Sequence, residues 1–445
     1  MKENNGQTPP AAAGRRRLFI FSLWYFPSHF GLHVVDIAAA FSRAGYDVTI
    51  VTVAAATFNL PYFDAFRELF DVVASGWPHL VRLNVERLEE RGAYNPCVVI
   101  RRDSTFHDCM EQVRMAPCHL LHFFEMLVPY FNAETVTSSL STSVLYAGNF
   151  VTRVTGQHRD NSAEPPSPET VVNTLLHPYS VDLAGGGYRL RGVDCIFSET
   201  HELVHMLRST ALRTPCRWTS RPVFAAPVLA APPCDIHTTW SIPRTAKVLL
   251  YAGRPAKNAR ALLSILKLVR LRCAIAPIVL LLVGMREDPV AGWPGAHELR
   301  SSIRTAPFVS RATLFGIMKS ADVFVYPGLV DGYPKVLTEA NLARLPVVAF
   351  NSPASGVHEI AMDGETALLV HSASPVATTE TENERFATAI ARILTDPALR
   401  GALVERAFLT AMDMDAPDFV TKLEELWRRS HEARASQNDT IPDRT

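Results

Sequence analysis

Hydrophobic and polar residues follow two alternating patterns along most of the chain. Short apolar runs, typical of parallel strands buried on both faces, are separated by stretches in which apolar residues recur at helical spacing. The first unit consists of the apolar run Leu18–Phe26, a loop turning at Gly31, the helical stretch Val34–Arg43 and the run Val48–Thr52. Gly45 ends the helix, because glycine adopts the left-handed conformation of a C-terminal cap at little cost. This unit predicts the opening of a doubly wound α/β domain.

A second, more regular series follows the stretch Pro222–Pro243, whose five prolines predict an interdomain linker. Strands are expected at Lys247–Ala252, Ile278–Val283, Val323–Tyr326, Val347–Phe350 and Leu368–Val370, and helices at Ala259–Leu271, Leu314–Ser320, Val336–Ala343 and Phe386–Leu394. The series predicts a second doubly wound domain. Two such domains enclose a cleft between the carboxyl ends of their sheets, where folds of this class bind ligands.

The region between the two series is less regular. Further strands are expected at Cys118–Phe124, Val144–Tyr146 and Val193–Ser198, with a helix at Phe63–Val73 and an exposed loop at Gly156–Thr170. Gly185–Gly187 lacks the lysine and the following helix of a phosphate-binding loop, so a plain turn is favoured. The resulting division is a tail at 1–17, an N-terminal domain at 18–225, a linker at 226–246, a C-terminal domain at 247–410, a helix at 411–432 packing back towards the N-terminal domain, and a tail at 433–445.

Composition excludes several classes of function. The 445 residues exceed one ordinary core, and the 44 basic residues balance the 44 acidic ones, so no overall field attracts nucleic acid. No apolar run approaches the roughly 20 residues of a membrane span. The 7 cysteines include no Cys-x-x-Cys and are interpreted as small buried hydrophobes in a reducing compartment, which favours a cytoplasmic protein.

Two cations and a glycine follow the first strand of the C-terminal domain. Gly253 allows a close turn of the backbone, and Arg254 and Lys257 project from the same loop. A diphosphate is recognised by such a pair, a planar guanidinium fork for paired oxygens and a compact ammonium for the remaining charge. Two solvated surface cations remain the alternative.

Two acids eight residues apart form the second candidate. Asp331 is expected in the loop after the strand Val323–Tyr326, and Glu339 on the helix that begins near Pro334. Both can face the cleft, one accepting from sugar hydroxyls and the other from a ribose diol. The amides of Gly332 and Tyr333 are expected at the helix N-terminus, where anions bind readily.

Residues 247–400 resemble the donor domain of the GT-B glycosyltransferase family numbered four. The family's hallmark Glu-x7-Glu stands here as Asp331-x7-Glu339. Further matching segments are Gly253–Lys257, Ala321–Pro327, Pro346–Ala349, Gly356–Ile360 and Asp363–Val370, with weaker ones at Tyr25–Gly31, Ala44–Thr49 and Val193–Glu199. The resemblance implies a GT-B fold, two doubly wound α/β domains facing each other across a cleft.

The resemblance also implies roles for individual residues. Members of the family transfer a sugar from a nucleotide diphosphate sugar with retention and usually need no metal, so no cofactor is expected beyond this co-substrate. Arg254 and Lys257 would hold the diphosphate, Glu339 the ribose and Asp331 the transferred sugar. Gly31 would let the N-terminal loop approach the phosphate.

Three positions depart from the family pattern. The first hallmark acid is Asp331 rather than glutamate, and Arg344 stands where the family often has glycine. The strand near Val144 leads into Ala147-Gly148-Asn149, whereas the family usually has a histidine there that touches the sugar.

Asp413 and Asp415 imitate a metal-binding Asp-x-Asp but are interpreted as a helix boundary. His122 and Glu125 are the candidates for acceptor binding, with a structural role as the alternative.

Alternatives from other classes stay open. A catalytically lapsed module, acting as a nucleotide-binding or partner subunit, is supported by the missing histidine. A GT-B phosphorylase is a third hypothesis. The acceptor is a glycan, a lipid or a small molecule, and no nucleic acid is expected. Arg15–Arg17 and Phe63–Val73 could contact a membrane surface. The alternatives are a solvated tail for the first segment and a core helix for the second.

Overall fold

The computed structural model describes the C-terminal half almost continuously and parts of the N-terminal half. The described ranges are 16–22, 37, 40–41, 43–54, 79–84, 118–123, 141–146, 180–190, 193, 195–198, 200–218, 223–253, 258–273, 276–285, 292–307, 309–353, 355–414 and 416–438. The predicted helix at Phe63–Val73 and the predicted loop at Gly156–Thr170 therefore lie outside the described residues.

The N-terminal domain contains a parallel sheet, in which seven strands are described, in the order β3-β2-β1-β4-β5-β8-β9. These strands are β1 (Arg17–Ser22), β2 (Asp47–Ala54), β3 (His79–Asn84), β4 (Cys118–Phe123), β5 (Ser141–Tyr146), β8 (Cys195–Ser198) and β9 (Cys216–Trp218). A separate antiparallel hairpin joins β6 (Ser180–Asp182) to β7 (Tyr188–Leu190). Gly186 and Gly187 turn this hairpin with φ values of 85° and 82°, which confirms the predicted plain turn.

The C-terminal domain contains a second parallel sheet, described as six strands in the order β12-β11-β10-β13-β14-β15. The strands are β10 (Lys247–Ala252), β11 (Ile278–Val283), β12 (Ile303–Ala306), β13 (Val323–Tyr326), β14 (Val347–Asn351) and β15 (Leu368–His371). Alternate residues of β10 enter opposite cores, Leu250 on one face and Leu249 on the other. Both faces are therefore covered, as continuous apolar strands require.

The described helices lie mostly in the C-terminal half. They are α1 (His201–Arg208), α2 (Ala225–Ala230), α3 (Ile236–Thr239), α4 (Ala261–Arg272), α5 (Arg311–Met318), α6 (Lys335–Leu342), α7 (Glu380–Thr395), α8 (Pro397–Met412) and α9 (Ala416–Asn438). Ile37, Ala40 and Phe41 are buried on the first predicted helix, and Gly45 follows it with a φ of 87°. The left-handed glycine cap is thereby confirmed.

The proline-rich segment is more ordered than its composition predicts. The segment predicted as an interdomain linker contains α2 and α3. Val228 and Ile236 are fully buried in the same core as β10 and β13. Apolar residues between the prolines supply this burial, so the segment packs as part of the C-terminal domain.

The chain returns to the N-terminal domain through α9. Phe419 and Trp427 of α9 pack around Phe41 and Phe197 of the N-terminal core. The helix continues to Asn438, six residues beyond the predicted end at 432. The two domains are thus linked by the segment before α2 and by the segment before α9.

Both sheets change winding direction between two neighbouring strands. Chain order reverses between β1 and β4 in the N-terminal sheet and between β10 and β13 in the C-terminal sheet. The segments that follow such strands diverge to opposite faces and leave a crevice at the carboxyl ends. The loops after β10 and β13 therefore define the candidate site.

Candidate functional site

The loops after β10 and β13 meet at the switch point of the C-terminal sheet. Gly253 follows β10 directly, and Asn258 Nδ2 donates a hydrogen bond of 3.1 Å to the Pro327 carbonyl after β13. Asn258 holds this position with a φ of 56°, a left-handed conformation that asparagine tolerates better than most residues. Arg254 and Lys257, predicted to bind the diphosphate, lie outside the described residues.

Tyr326, the last residue of β13, fixes the side chain of Asp331. Its hydroxyl donates a hydrogen bond of 2.6 Å to Asp331 Oδ2. Burial, followed by the charge of Asp331, raises the pKa of Tyr326 well above its usual value. The hydroxyl therefore stays protonated and remains a donor to the carboxylate. Gly328 is required beside it, since a Cβ there would lie 2.7 Å from the Tyr326 hydroxyl oxygen.

A short 3-10 turn, Gly356–Glu359, supports the Asp331 loop from the side of β14. The Gly356 amide donates to the Asp331 carbonyl at 2.7 Å. A Cβ at Gly356 would approach the Gly332 carbonyl oxygen to 1.9 Å, so only glycine fits. The Ser352 hydroxyl also hydrogen-bonds to the Leu329 carbonyl of the same loop. The loop that bears Asp331 is consequently held at several points along its backbone.

The residues between Asp331 and α6 are buried. Gly332, Tyr333 and Pro334 are all shielded from solvent, and α6 begins at Lys335. The Tyr333 hydroxyl lies 3.7 Å from the sulfur of Met414, just before α9. The predicted order of loop, proline and helix is confirmed, and it brings both candidate acids to the same end of the sheet.

Glu339 is a buried acid on the first turns of α6. Its Oε1 accepts a hydrogen bond of 2.9 Å from Arg311 at the start of α5, and Lys335 Nζ lies 4.0 Å away. The Arg311 and Glu339 side chains are only 18% and 11% exposed. A carboxylate this buried requires such partners, because desolvation alone would disfavour its charge. Among the described residues, none donates a hydrogen bond to Oε2.

The predicted site residues that lie within the described ranges are close together. Gly253, Asp331, Gly332, Tyr333 and Glu339 all lie at the carboxyl edge around β10 and β13. The candidates Gly31 and Glu125 lie outside the described residues. The backbone of His122 lies on β4, beside β1 at the N-terminal switch point.

Two residues of this site were missed by the sequence analysis. The sequence does point to Tyr326, since a tyrosine that ends an apolar strand needs a hydrogen-bond partner for its hydroxyl. Nothing in the sequence points to Arg311, because it precedes Glu339 by 28 residues and lies on another helix.

Arg344 follows α6 with a φ of 58°. This left-handed conformation explains why a glycine suits the position, as the family resemblance suggested. The arginine makes surface contacts there, an ion pair of 2.6 Å with Glu405 and a cation–π contact with Phe408 at 4.0 Å.

The described cysteines are free thiols. Cys195, Cys216 and Cys273 are buried free thiols, and burial raises the pKa of Cys216 to about 12. Within the described ranges, no three His, Cys, Asp or Glu residues gather in a metal-binding group. None of the described helices combines the length and the apolar character that crossing a membrane requires.

Part of the chain is similar to a family of glycosyltransferases. Residues 235–409 match the family model described as Glycosyl transferases group 1. The matched segment begins at α3 and ends in α8, so it contains all six strands of the C-terminal sheet. The candidate acids Asp331 and Glu339 lie within it.

A curated relative matches about half of the chain. It is the D-inositol 3-phosphate glycosyltransferase of Kineococcus radiotolerans, 28% identical over 220 residues. The alignment covers 45% of this chain and 48% of the relative, so about half of each protein is compared.

Solved structures match over nearly the whole chain. Anabaena HepE, crystallised with UDP and glucose, aligns over 95% of this chain and 100% of its own, with 14% identity and a TM-score of 0.62. Sucrose-phosphate synthase of Thermosynechococcus elongatus aligns over 94% and 100%, with 16% identity and a TM-score of 0.63. The fold is therefore GT-B, which confirms the predicted architecture.

Proposed function

We propose that this protein is a retaining glycosyltransferase of family four, which transfers a sugar from a nucleotide diphosphate sugar to an acceptor hydroxyl. The GT-B fold and the match of residues 235–409 to a glycosyltransferase family model support the class. The acceptor is a glycan, a lipid or a small molecule.

The observation that carries this proposal is the fixed carboxylate at the switch point. Asp331 lies where a doubly wound sheet binds its ligand, and Tyr326 holds one of its oxygens at 2.6 Å. A carboxylate so oriented can accept hydrogen bonds from the hydroxyls of a transferred sugar. Those bonds strengthen as the anomeric carbon becomes cationic, so Asp331 favours the transition state over the bound donor.

Glu339 is assigned to the ribose of the donor. Its Oε1 is already occupied by Arg311, which fixes the carboxylate on the buried side. The other oxygen, Oε2, is left to accept from a ribose hydroxyl. This contact is the same in the ground state and the transition state, so it contributes to donor affinity more than to turnover.

Arg254 and Lys257 are assigned to the diphosphate. The leaving group gains negative charge as the anomeric bond breaks, and two side-chain cations stabilise that charge. The acceptor hydroxyl approaches on the face from which the leaving group departs, and its proton passes to the departing phosphate. Side-chain cations make a divalent metal unnecessary in this mechanism.

The experiment is a screen of sugar nucleotides for nucleoside diphosphate release. With the accepted donor, we expect Asp331→Asn to lower kcat roughly ten- to a thousandfold with a smaller change in KM, and Glu339→Gln mainly to raise KM. Asp363→Asn is the matched control, because this exposed aspartate lies before the amino end of β15, whereas Asp331 follows the carboxyl end of β13. Equal activity of Asp331→Asn and wild type would refute the assignment.

A lapsed GT-B module is the second candidate function. It is favoured by Ala147-Gly148-Asn149, where the family pattern has a histidine that touches the sugar. Such a module would bind nucleotide with the dependence on Glu339 described above and would release no diphosphate from any donor.

A further inference from the structure

The two domains touch across the cleft at Glu359. The carboxylate comes from the C-terminal domain and accepts two hydrogen bonds from His201 of the N-terminal domain. The His201 amide lies 2.7 Å from Oε1, and the ring Nδ1 lies 2.7 Å from Oε2. Since a carboxylate only accepts, Nδ1 carries the proton. The Glu359 side chain is 7% exposed and the His201 side chain 65%, so the carboxylate is shielded while the histidine remains open to solvent.

The elements on both sides of this contact explain its position. His201 is the first residue of α1, which follows the carboxyl end of β8. Glu359 follows the carboxyl end of β14, the neighbour of β13. The contact therefore joins the two sheet edges that face the cleft. The positive end of the α1 dipole adds to the attraction for the carboxylate.

On the C-terminal side, Glu359 is connected to the Asp331 loop through one short turn. The turn begins at Gly356, whose amide donates to the Asp331 carbonyl at 2.7 Å. The turn and the loop are also in close backbone contact, since a Cβ at Gly356 would lie 1.9 Å from the Gly332 carbonyl oxygen. Glu359 and Asp331 are thus connected through one backbone hydrogen bond and one close backbone contact.

On the N-terminal side, the His201 ring is held by its neighbours. It stacks on Trp218, the last residue of β9, with ring centroids 4.2 Å apart. Lys422 of α9 lies 5.7 Å from the Trp218 ring. His201 is therefore anchored to β9 of the N-terminal sheet and, through Trp218, to α9.

We propose that Glu359 is a positioning residue, which holds the N-terminal domain against the Asp331 loop in the arrangement that supports transfer. This inference rests on the proposed glycosyltransferase function. The Glu359 carboxylate acts through the Asp331 loop and needs no contact with the donor. When the domains separate, water solvates the carboxylate and the free end of α1, so the cleft can open again for product release.

Hydrogen exchange tests the contact without reference to activity. In Glu359→Ala we expect the amides at the start of α1 to exchange at least about tenfold faster than in the wild type. Glu359→Gln retains an oxygen acceptor for the His201 amide and should recover most of the protection. Glu405→Ala is the control, because this carboxylate pairs with Arg344 on the exposed surface. Unchanged exchange in Glu359→Ala would overturn the proposal.

Kinetics separate positioning from general stability. We expect Glu359→Ala to lower kcat about tenfold while the Kd for nucleoside diphosphate changes less than about twofold. His201→Ala, which removes only the ring contact, should lie between Glu359→Ala and wild type. If kcat is unchanged in an active enzyme, the positioning role is wrong. A wild type without turnover would instead refute the proposed function.

Discussion

Replacing Tyr326 by phenylalanine tests how Asp331 is held. The change deletes one hydroxyl and keeps the ring, which is almost fully buried at the end of β13. The lost bond is the 2.6 Å contact with Asp331 Oδ2. A hydrogen bond to a charged group contributes about 1.5–3 kcal/mol. Asp331 is partly exposed, so water compensates part of this loss, and we expect a decrease of about 1–2 kcal/mol in the free energy of unfolding.

The same substitution should also slow turnover. Without the Tyr326 hydroxyl, the Asp331 carboxylate loses this hydrogen bond and is held less firmly in the orientation that its proposed contact with the sugar requires. A loss of about 1.4 kcal/mol in transition-state stabilisation corresponds to a tenfold lower kcat. Urea denaturation measures the stability change, and nucleoside diphosphate release with the identified donor measures turnover.

Tyr46 provides a matched control for this experiment. Its hydroxyl donates to Glu424 at 2.7 Å in the N-terminal core, so it makes the same type of bond away from the site. Burial and the bond to Glu424 likewise raise the pKa of Tyr46 above its usual value. Tyr46→Phe should lose similar stability and keep its kcat. Equal kcat values for the two variants would refute the role of Tyr326 in orienting Asp331.

Three further predictions concern the diphosphate, the metal and the end of α6. Arg254→Ala should weaken nucleoside diphosphate binding by roughly 1.5–3 kcal/mol in calorimetry, and unchanged affinity there and in Lys257→Ala would remove the clamp. Chelation should leave activity intact; loss on chelation with recovery in magnesium or manganese would contradict the side-chain mechanism. Arg344→Gly should be about 1 kcal/mol more stable to urea than Arg344→Ala, because both lose the contacts with Glu405 but only glycine relieves the positive φ. Equal stability of these two variants would disprove the strain.

The pattern of apolar residues determined the two doubly wound domains. Continuous apolar runs such as Ile278–Val283 identify strands covered on both faces, and glycines such as Gly45 identify the ends of helices. The spacing of Asp331 and Glu339, with Pro334 between them, also placed one acid in a loop and the other on a helix. Local order along the chain is sufficient for these inferences.

Which side chains meet at the site follows from the three-dimensional fold and not from local sequence. Arg311 precedes Glu339 by 28 residues, and His201 precedes Glu359 by 158. Neither pair leaves a periodic signal, because the parallel crossovers and the interdomain cleft bring together residues that are distant in sequence. The packing of α2 and α3 could not be predicted for a related reason. Their proline content suggested a linker, whereas the burial of Val228 and Ile236 depends on the core formed by β10 and β13. The pattern of apolar residues indicates local secondary structure, whereas contacts between side chains on different strands and domains depend on the fold.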